Sequence, residues 1–389
     1  MENAIVERIV LRSESLKKWV NQFTYERYLF NELVKTNKDF YIGIRGLRGV
    51  GKTTMLLQLS LEHNDSAYFS ADWSYLKPYS IYEIANELRK RDLKTIFIDE
   101  IHTRADWSQE IKTLYDEHEL NVFFSGSSSL SIKEECADLS RRAVLHELKP
   151  TSLREYLNIK KRFNIPVYSF DEIISNGKEI SLRHISAYEY FGSYMREGGV
   201  LYSGEGFNEA MDNAIQKIIT VDLSALRDIN IKYETDAYRL LYHIAASNPF
   251  ELSYSSISHK LGISKTFAIR LVKDIVATGL LKEVFPCKGG NKDVKKEPKI
   301  YFSIPFRAFF APDENKGSVR EEFFVNHVPV SCYFKTERGE KTPDFLVNGK
   351  KIEIGGVSKT TTQKPDYIAV DSALWEEKKI PLFLFGFLY

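Results

Sequence analysis

Residues 46–53 read Gly46-Leu47-Arg48-Gly49-Val50-Gly51-Lys52-Thr53, a complete G-x-x-x-x-G-K-[ST] pattern. The apolar run Phe40-Tyr41-Ile42-Gly43-Ile44 precedes it, and the helix-forming Thr54-Met55-Leu56-Leu57-Gln58-Leu59 follows. This strand–loop–helix context is what a phosphate-binding loop requires. Its glycines let backbone N–H groups turn inward around a phosphate, and the helix that starts there adds its positive dipole end. Lys52 is expected to reach the β- and γ-phosphate oxygens of a nucleotide, and the Thr53 hydroxyl to ligate Mg²⁺. The expected nucleotide-binding segment is therefore Gly46, Leu47, Arg48, Gly49, Val50, Gly51, Lys52, Thr53 and Thr54.

A chain of 389 residues exceeds what a single core normally serves, so two or more domains are expected. The net charge of +1 means that any nucleic-acid footprint must come from local patches. Cys136, Cys287 and Cys332 are far apart and lack C-x-x-C spacing. Their spacing predicts neither a disulfide framework nor a zinc site, and a reducing cytoplasmic setting. The N-terminus lacks the basic-then-apolar layout of a signal peptide. The apolar stretch Ile380 to Tyr389 is shorter than the ~20 residues of a membrane span, so a buried final strand and no membrane partner are expected.

Four segments follow from the patterning. Residues 1–155 alternate strand and helix signals, with strand candidates at 40–45, 66–70, 95–98, 121–124 and 143–145, as in an α/β layer with a parallel sheet. Residues 156–232 read as a helical lid or linker. Residues 233–304 predict three helices, the third capped by Ser264 and stopped at Gly279, and then two strands around a polar tip. That order is a winged helix–turn–helix. Residues 305–389 return to mixed α/β.

Hydrolysis needs more than a loop. The run Lys94-Thr95-Ile96-Phe97-Ile98 is an apolar strand closing on Asp99 and Glu100. Asp99 is expected in the Mg²⁺ shell and Glu100 as the base that polarises the attacking water. A strand ending Ser125-Gly126-Ser127 offers Ser125 or Ser127 beside the γ-phosphate. Arg141-Arg142 offers an arginine for transition-state charge, in cis or from a neighbouring subunit.

Together these residues give the chain a resemblance to a known group. It resembles the AAA-like P-loop ATPases of bacteria and archaea that carry a C-terminal domain of unknown function with a restriction-endonuclease-like fold. The matching residues are the loop 46–53, Asp99-Glu100-Ile101-His102 with Trp107, Ser125-Gly126-Ser127-Ser128, Leu139-Ser140-Arg141-Arg142 and Pro150 to Tyr156. Gly317 to Glu321, Pro343-Asp344, Glu353-Ile354-Gly355-Gly356 and the ending Ile380 to Tyr389 match further on. The resemblance implies ATP and Mg²⁺ as cofactors, with Lys52, Glu100, Ser127 and Arg142 in catalytic roles. A glycine usually stands where this chain has Arg141, which puts Arg142 in the arginine position.

Glu321, Asp344 and Glu353 recur in the order of a metal-dependent nuclease, but the position two after Glu353 is Gly355 and not lysine. Lys351, two before Glu353 and on the same strand face, is the substitute the alternation offers. The missing lysine favours a retired nuclease fold. The wing tip 287–299 carries five lysines against two acids, and Lys265, Thr266, Arg270 and Lys273 lie on the third helix, with Asp274 opposing them. DNA is the expected partner of such a wing. Three functions remain open: an ATPase that moves its C-terminal domains on DNA, a slow ATP switch that docks a protein partner or a second copy, and an ATP-gated nuclease.

Overall fold

A computed structural model describes residues 1–36, 39–117, 119–126, 139, 141–202, 206–224, 230–248, 252–287, 297–311, 316–335, 342–358 and 364–389. The chain divides into two compact units, Met1–Lys149 and Pro150–Tyr389.

The first unit is built on a five-stranded sheet of β1 (Tyr41–Arg45), β2 (Ser66–Ser70), β3 (Thr95–Asp99), β4 (Asn121–Gly126) and β5 (Ala143–Glu147). The spatial order is β2-β3-β4-β1-β5 and every pairing is parallel. Strands β1 to β4 are buried almost throughout because both faces of such a sheet are covered, whereas β5, at the edge, is mostly half-buried or exposed. Helices α3 (Lys52–Leu61), α4 (Ile81–Arg89) and α5 (Trp107–Asp116) join them, and the short α2 (Phe30–Lys35) precedes β1. Ser80 and Glu83 close a capping box at the start of α4. The first helix, α1 (Asn3–Val20), buries Val6, Ile9, Ser13, Lys17 and Val20, a helical stripe. Ser13 Oγ accepts from the Tyr68 N–H at 2.9 Å, and Lys17 Nζ donates to the Ser66 carbonyl at 2.8 Å. Those two bonds occupy backbone groups on the outer edge of β2, which would otherwise stay open for another strand.

The second unit joins helices at both ends of its sequence to a mixed sheet. Strands β8 (Cys332–Tyr333), β9 (Phe345–Val347), β10 (Lys350–Gly355), β11 (Tyr367–Val370) and β12 (Lys379–Pro381) lie in the order β12-β11-β10-β9-β8. One hydrophobic cluster contains Leu153, Tyr156 and Ile173 from the early helices, Phe323 and Phe324 from the helix Lys316–His327, and Ile352 and Phe385 from the C-terminal part. The helical segment after Pro150 thus buries its apolar face against the C-terminal sheet. Between them stand the helices Ile231–Ala246, Tyr254–Leu261 and Lys265–Ala277, followed by the antiparallel pair β6 (Leu281–Val284) and β7 (Lys299–Phe302).

The structure departs from the sequence expectations at two places. The final apolar run is a strand only at Lys379–Pro381; Leu382–Phe387 wind into a 3₁₀ helix buried on all sides. A run without alternation reads equally well as either element, and only length and surroundings decide. Cys287 and Cys332 form a disulfide, where their spacing predicted none. Pro286 bridges Tyr333 in parallel, and the Cys287 N–H donates to the Tyr333 carbonyl at 2.8 Å, so pairing of distant segments brings the two sulfurs together.

Candidate nucleotide site

The sheet order assembles the site. Chain order places β1, β3 and β4 far apart, but β4 lies between β3 and β1, with Ile44 beside Ser125 and Ile98 beside Phe124. The C-terminal ends of the three strands therefore meet at one edge, where open parallel sheets bind ligands. The loop leaves β1 at this edge and enters α3 through Gly51, whose φ of 94° is a conformation that a Cβ would penalise.

Asp99, 3% exposed, is the hub of this edge. Its Oδ2 accepts from Thr53 Oγ1 at 2.6 Å and from the Tyr68 hydroxyl at 2.9 Å. Its Oδ1 accepts from Ser125 Oγ and from the Glu100 N–H at 3.1 Å. Burial, followed by the charge of Glu100, pushes the Asp99 carboxyl above the usual carboxylate range, while the three hydroxyl donors pull it back. The same burial, with Asp99 opposite, raises the Tyr68 phenol, so Tyr68 stays a donor. Thr53 and Asp99 thus offer adjacent hard oxygens, the donor set that suits Mg²⁺. When bound there, such an ion supplies charge neutralisation to the β- and γ-phosphate oxygens.

Glu100 follows with φ 50°, a left-handed conformation that costs energy for a non-glycine residue and gathers at functional sites. Its carboxylate Oε2 stands 3.9 Å from an Arg48 nitrogen and 3.6 Å from His102 Nε2. Lys52 Nζ donates to the carbonyls of Gly46 at 2.8 Å and Leu47 at 3.0 Å, inside the loop it is expected to serve.

The remaining expected residues divide. Ser125 is at the site, fully buried against Asp99, while Ser127 lies outside the described residues. Arg142 precedes β5, and its carbonyl accepts from the Tyr41 N–H at the start of β1. It therefore sits at the edge opposite the loop, about 16 Å away across a strand's length. Its guanidinium is bound to Asp116 at 2.8 and 3.1 Å. Expecting it on the γ-phosphate of its own chain is corrected by this placement: proximity in sequence to the last strand says nothing of which strand end a residue occupies. Tyr68 and the Arg48–Glu100 pairing went unread because no spacing rule connects them to Asp99 and Glu100.

In the second unit, Asp344 lies within electrostatic reach of both Glu321 and Glu353. The Tyr301 hydroxyl donates to Glu321 at 2.7 Å, Lys299 Nζ stands 3.6 Å from Glu321, and Asp344 accepts from the Ile354 N–H at 2.8 Å. Burial and the charges of Glu321 and Glu353 push Asp344 up to about 7. The ammonium at this cluster is Lys299 of β7; Lys351 is exposed, and its N–H donates to Asp366. Among the described residues, no group of three or more His, Cys, Asp or Glu is arranged to hold a metal ion. On the helix Lys265–Ala277, Lys265, Thr266, Arg270 and Lys273 are exposed, whereas Asp274 is buried and accepts from the Tyr233 hydroxyl.

A parallel five-stranded sheet with this loop, hub and acidic pair defines a P-loop nucleotide-binding core. Residues 38–157 match the family model of an AAA domain, which makes this core an AAA-like, ATP-binding one. Over 299 residues the chain is 30% identical to the uncharacterized protein MJ1637 of Methanocaldococcus jannaschii, covering 70% of this chain and 62% of that protein. Over 134 residues it is 32% identical to the uncharacterized protein MJ1544 of the same organism, covering 31% and 30%. The chain thus spans less than two thirds of the length of these relatives. Among solved structures, AMPPCP-bound DnaA from Aquifex aeolicus aligns at TM-score 0.26 and 16% identity, covering 64% of this chain and 86% of that one. PCH-2 of C. elegans aligns at TM-score 0.25 and 12% identity, covering 72% and 68%. Likenesses this low carry no weight, and the assignment rests on the family match and the site geometry. Among the described residues, no helix is long and apolar enough to cross a membrane.

Proposed function

We propose that this protein is a Mg²⁺-dependent ATPase that uses nucleotide state to control its second unit. The observation that carries the proposal is the convergence of Thr53, Tyr68 and Ser125 on Asp99, with Glu100 next in sequence, beside Lys52. Glu100 is the general base in this reading, Lys52 holds the β- and γ-phosphates, and Ser125 or Ser127 reads the γ-phosphate. Arg142, if it acts on the transition state, would do so from a second copy. Phosphate release from ATP by the purified chain, measured with and without DNA, tests the reading. Turnover that survives both Lys52→Ala and Glu100→Gln would sink it.

A slow switch is the second reading, and the hold of Arg48 and His102 on the Glu100 carboxylate favours it. A base so restrained would turn over slowly until a partner moved it. DNA association is part of the first reading. The exposed Lys265, Arg270 and Lys273, with Asp274 turned inward, support a winged-helix contact to phosphates. A lack of salt-sensitive binding to duplex DNA would remove that partner, and binding untouched by a combined Arg270→Ala and Lys273→Ala change would remove this contact.

A further inference from the structure

A phosphate loop can report its occupancy through atoms that touch its backbone. Arg27, 5% exposed, donates from one guanidinium nitrogen to the Val50 carbonyl inside the loop. From another it donates to the Lys149 carbonyl at 2.9 Å. The next residue repeats the connection: the Tyr28 hydroxyl donates to the Glu147 carbonyl at 2.7 Å and accepts from the Lys149 N–H at 3.1 Å. At the loop entrance, the Leu148 N–H donates to the Arg45 carbonyl at 2.8 Å. A Cβ on Gly46 would stand 2.4 Å from the Leu148 carbonyl oxygen, so the two backbones meet with no side chain between them. Gln58, in the helix that the loop opens, donates to the carbonyls of Phe23 and Tyr25 at 3.0 Å each and anchors the segment that carries Arg27.

Lys149 ends the first unit and Pro150 begins the second. A polyphosphate in the loop would compete for the Lys52 ammonium with the Gly46 and Leu47 carbonyls, and Gly46 is the residue that abuts Leu148. We propose that Arg27 is a positioning residue that ties the conformation of the phosphate loop to residues 147–150, and so passes nucleotide state along the chain to the second unit. This rests on the nucleotide-binding reading above. The planar guanidinium donates in two fixed directions at once, which a lysine ammonium on a flexible stem does not reproduce.

The test is amide hydrogen exchange on the full chain with and without saturating Mg²⁺ and AMPPNP, saturation being set by titration of a fluorescent ATP analogue. Exchange over residues 147–152 is expected to change on nucleotide addition in the wild type. That change should fall at least threefold in Arg27→Lys and in Tyr28→Phe. A merely structural role would raise exchange equally in both states and leave the difference intact. A wild-type chain that binds no nucleotide overturns the functional reading itself. A chain that binds without any change at 147–152, or variants that keep the full change, overturns the coupling and leaves the functional reading standing. If Arg27→Lys does not fold, Tyr28→Phe decides between these outcomes alone.

Discussion

The Thr53 hydroxyl donates to Asp99 Oδ2 at 2.6 Å across 46 residues of sequence, and Tyr68 donates to the same oxygen at 2.9 Å. One carboxylate oxygen thus aligns the loop with the strand that carries the acidic pair. Tyr68→Phe removes one of these donors and leaves the ring in place, a loss of about 1 kcal/mol for a buried hydrogen bond. The expected outcome is an Mg²⁺ half-saturation roughly fivefold higher for nucleotide binding, with binding in EDTA unchanged. Titration of a fluorescent ATP analogue against Mg²⁺ reads this directly.

Glu100 holds the position expected of the base, in a left-handed backbone conformation and against Arg48 and His102. Glu100→Gln keeps the shape and removes the proton acceptor. Turnover is expected to drop about 10²–10⁴-fold while ATP affinity stays within a few-fold. Single-turnover hydrolysis alongside equilibrium binding separates the two quantities.

Asp344 has a folded pKa of about 7, against an ordinary value of 3.8. Between those values the folded chain holds a proton that the unfolded chain has released, so stability falls as pH rises through that window. Asp344→Asn removes the ionisation and can still accept from the Ile354 N–H. Above the window the variant is expected to be the more stable, by on the order of a few kcal/mol, and below it the two chains converge. Thermal melts from acid to mildly alkaline pH follow the crossover.

The Cys287–Cys332 bond closes a separation of 45 residues. Cross-linking of that length removes roughly 4 kcal/mol of denatured-chain entropy, with 2–4 kcal/mol the usual yield. Cys287→Ser, or a thiol reductant on the wild type, should therefore lower the stability of the second unit and leave the first unit's transition unmoved. Urea unfolding followed by fluorescence, with and without reductant, measures it; identical curves would mean that the bond contributes nothing.

Local grammar carried much of the first unit. The loop 46–53 needs only its own glycines and the flanking strand and helix, and Asp99-Glu100 needs only an apolar strand before it, so both were legible. The strand candidates 66–70 and 95–98 lie within or match β2 and β3 because buried parallel strands are short and mostly apolar, with small hydroxyl residues at their ends. Ser125 was legible as one of two alternatives, but its bond to Asp99 was not, since that depends on β4 lying between β3 and β1.

By itself, the sequence determined that a phosphate loop and an acidic pair exist and that helices and strands alternate around them. Those properties depend on backbone conformation over a few residues. Only the tertiary structure decided that Arg142 faces away from the loop, that Tyr68 holds Asp99, that Lys299 rather than Lys351 reaches the acidic cluster, and that Cys287 meets Cys332. Each of these depends on which strand lies beside which. That order comes from burying apolar faces across the whole unit, and spacing along the chain does not encode it.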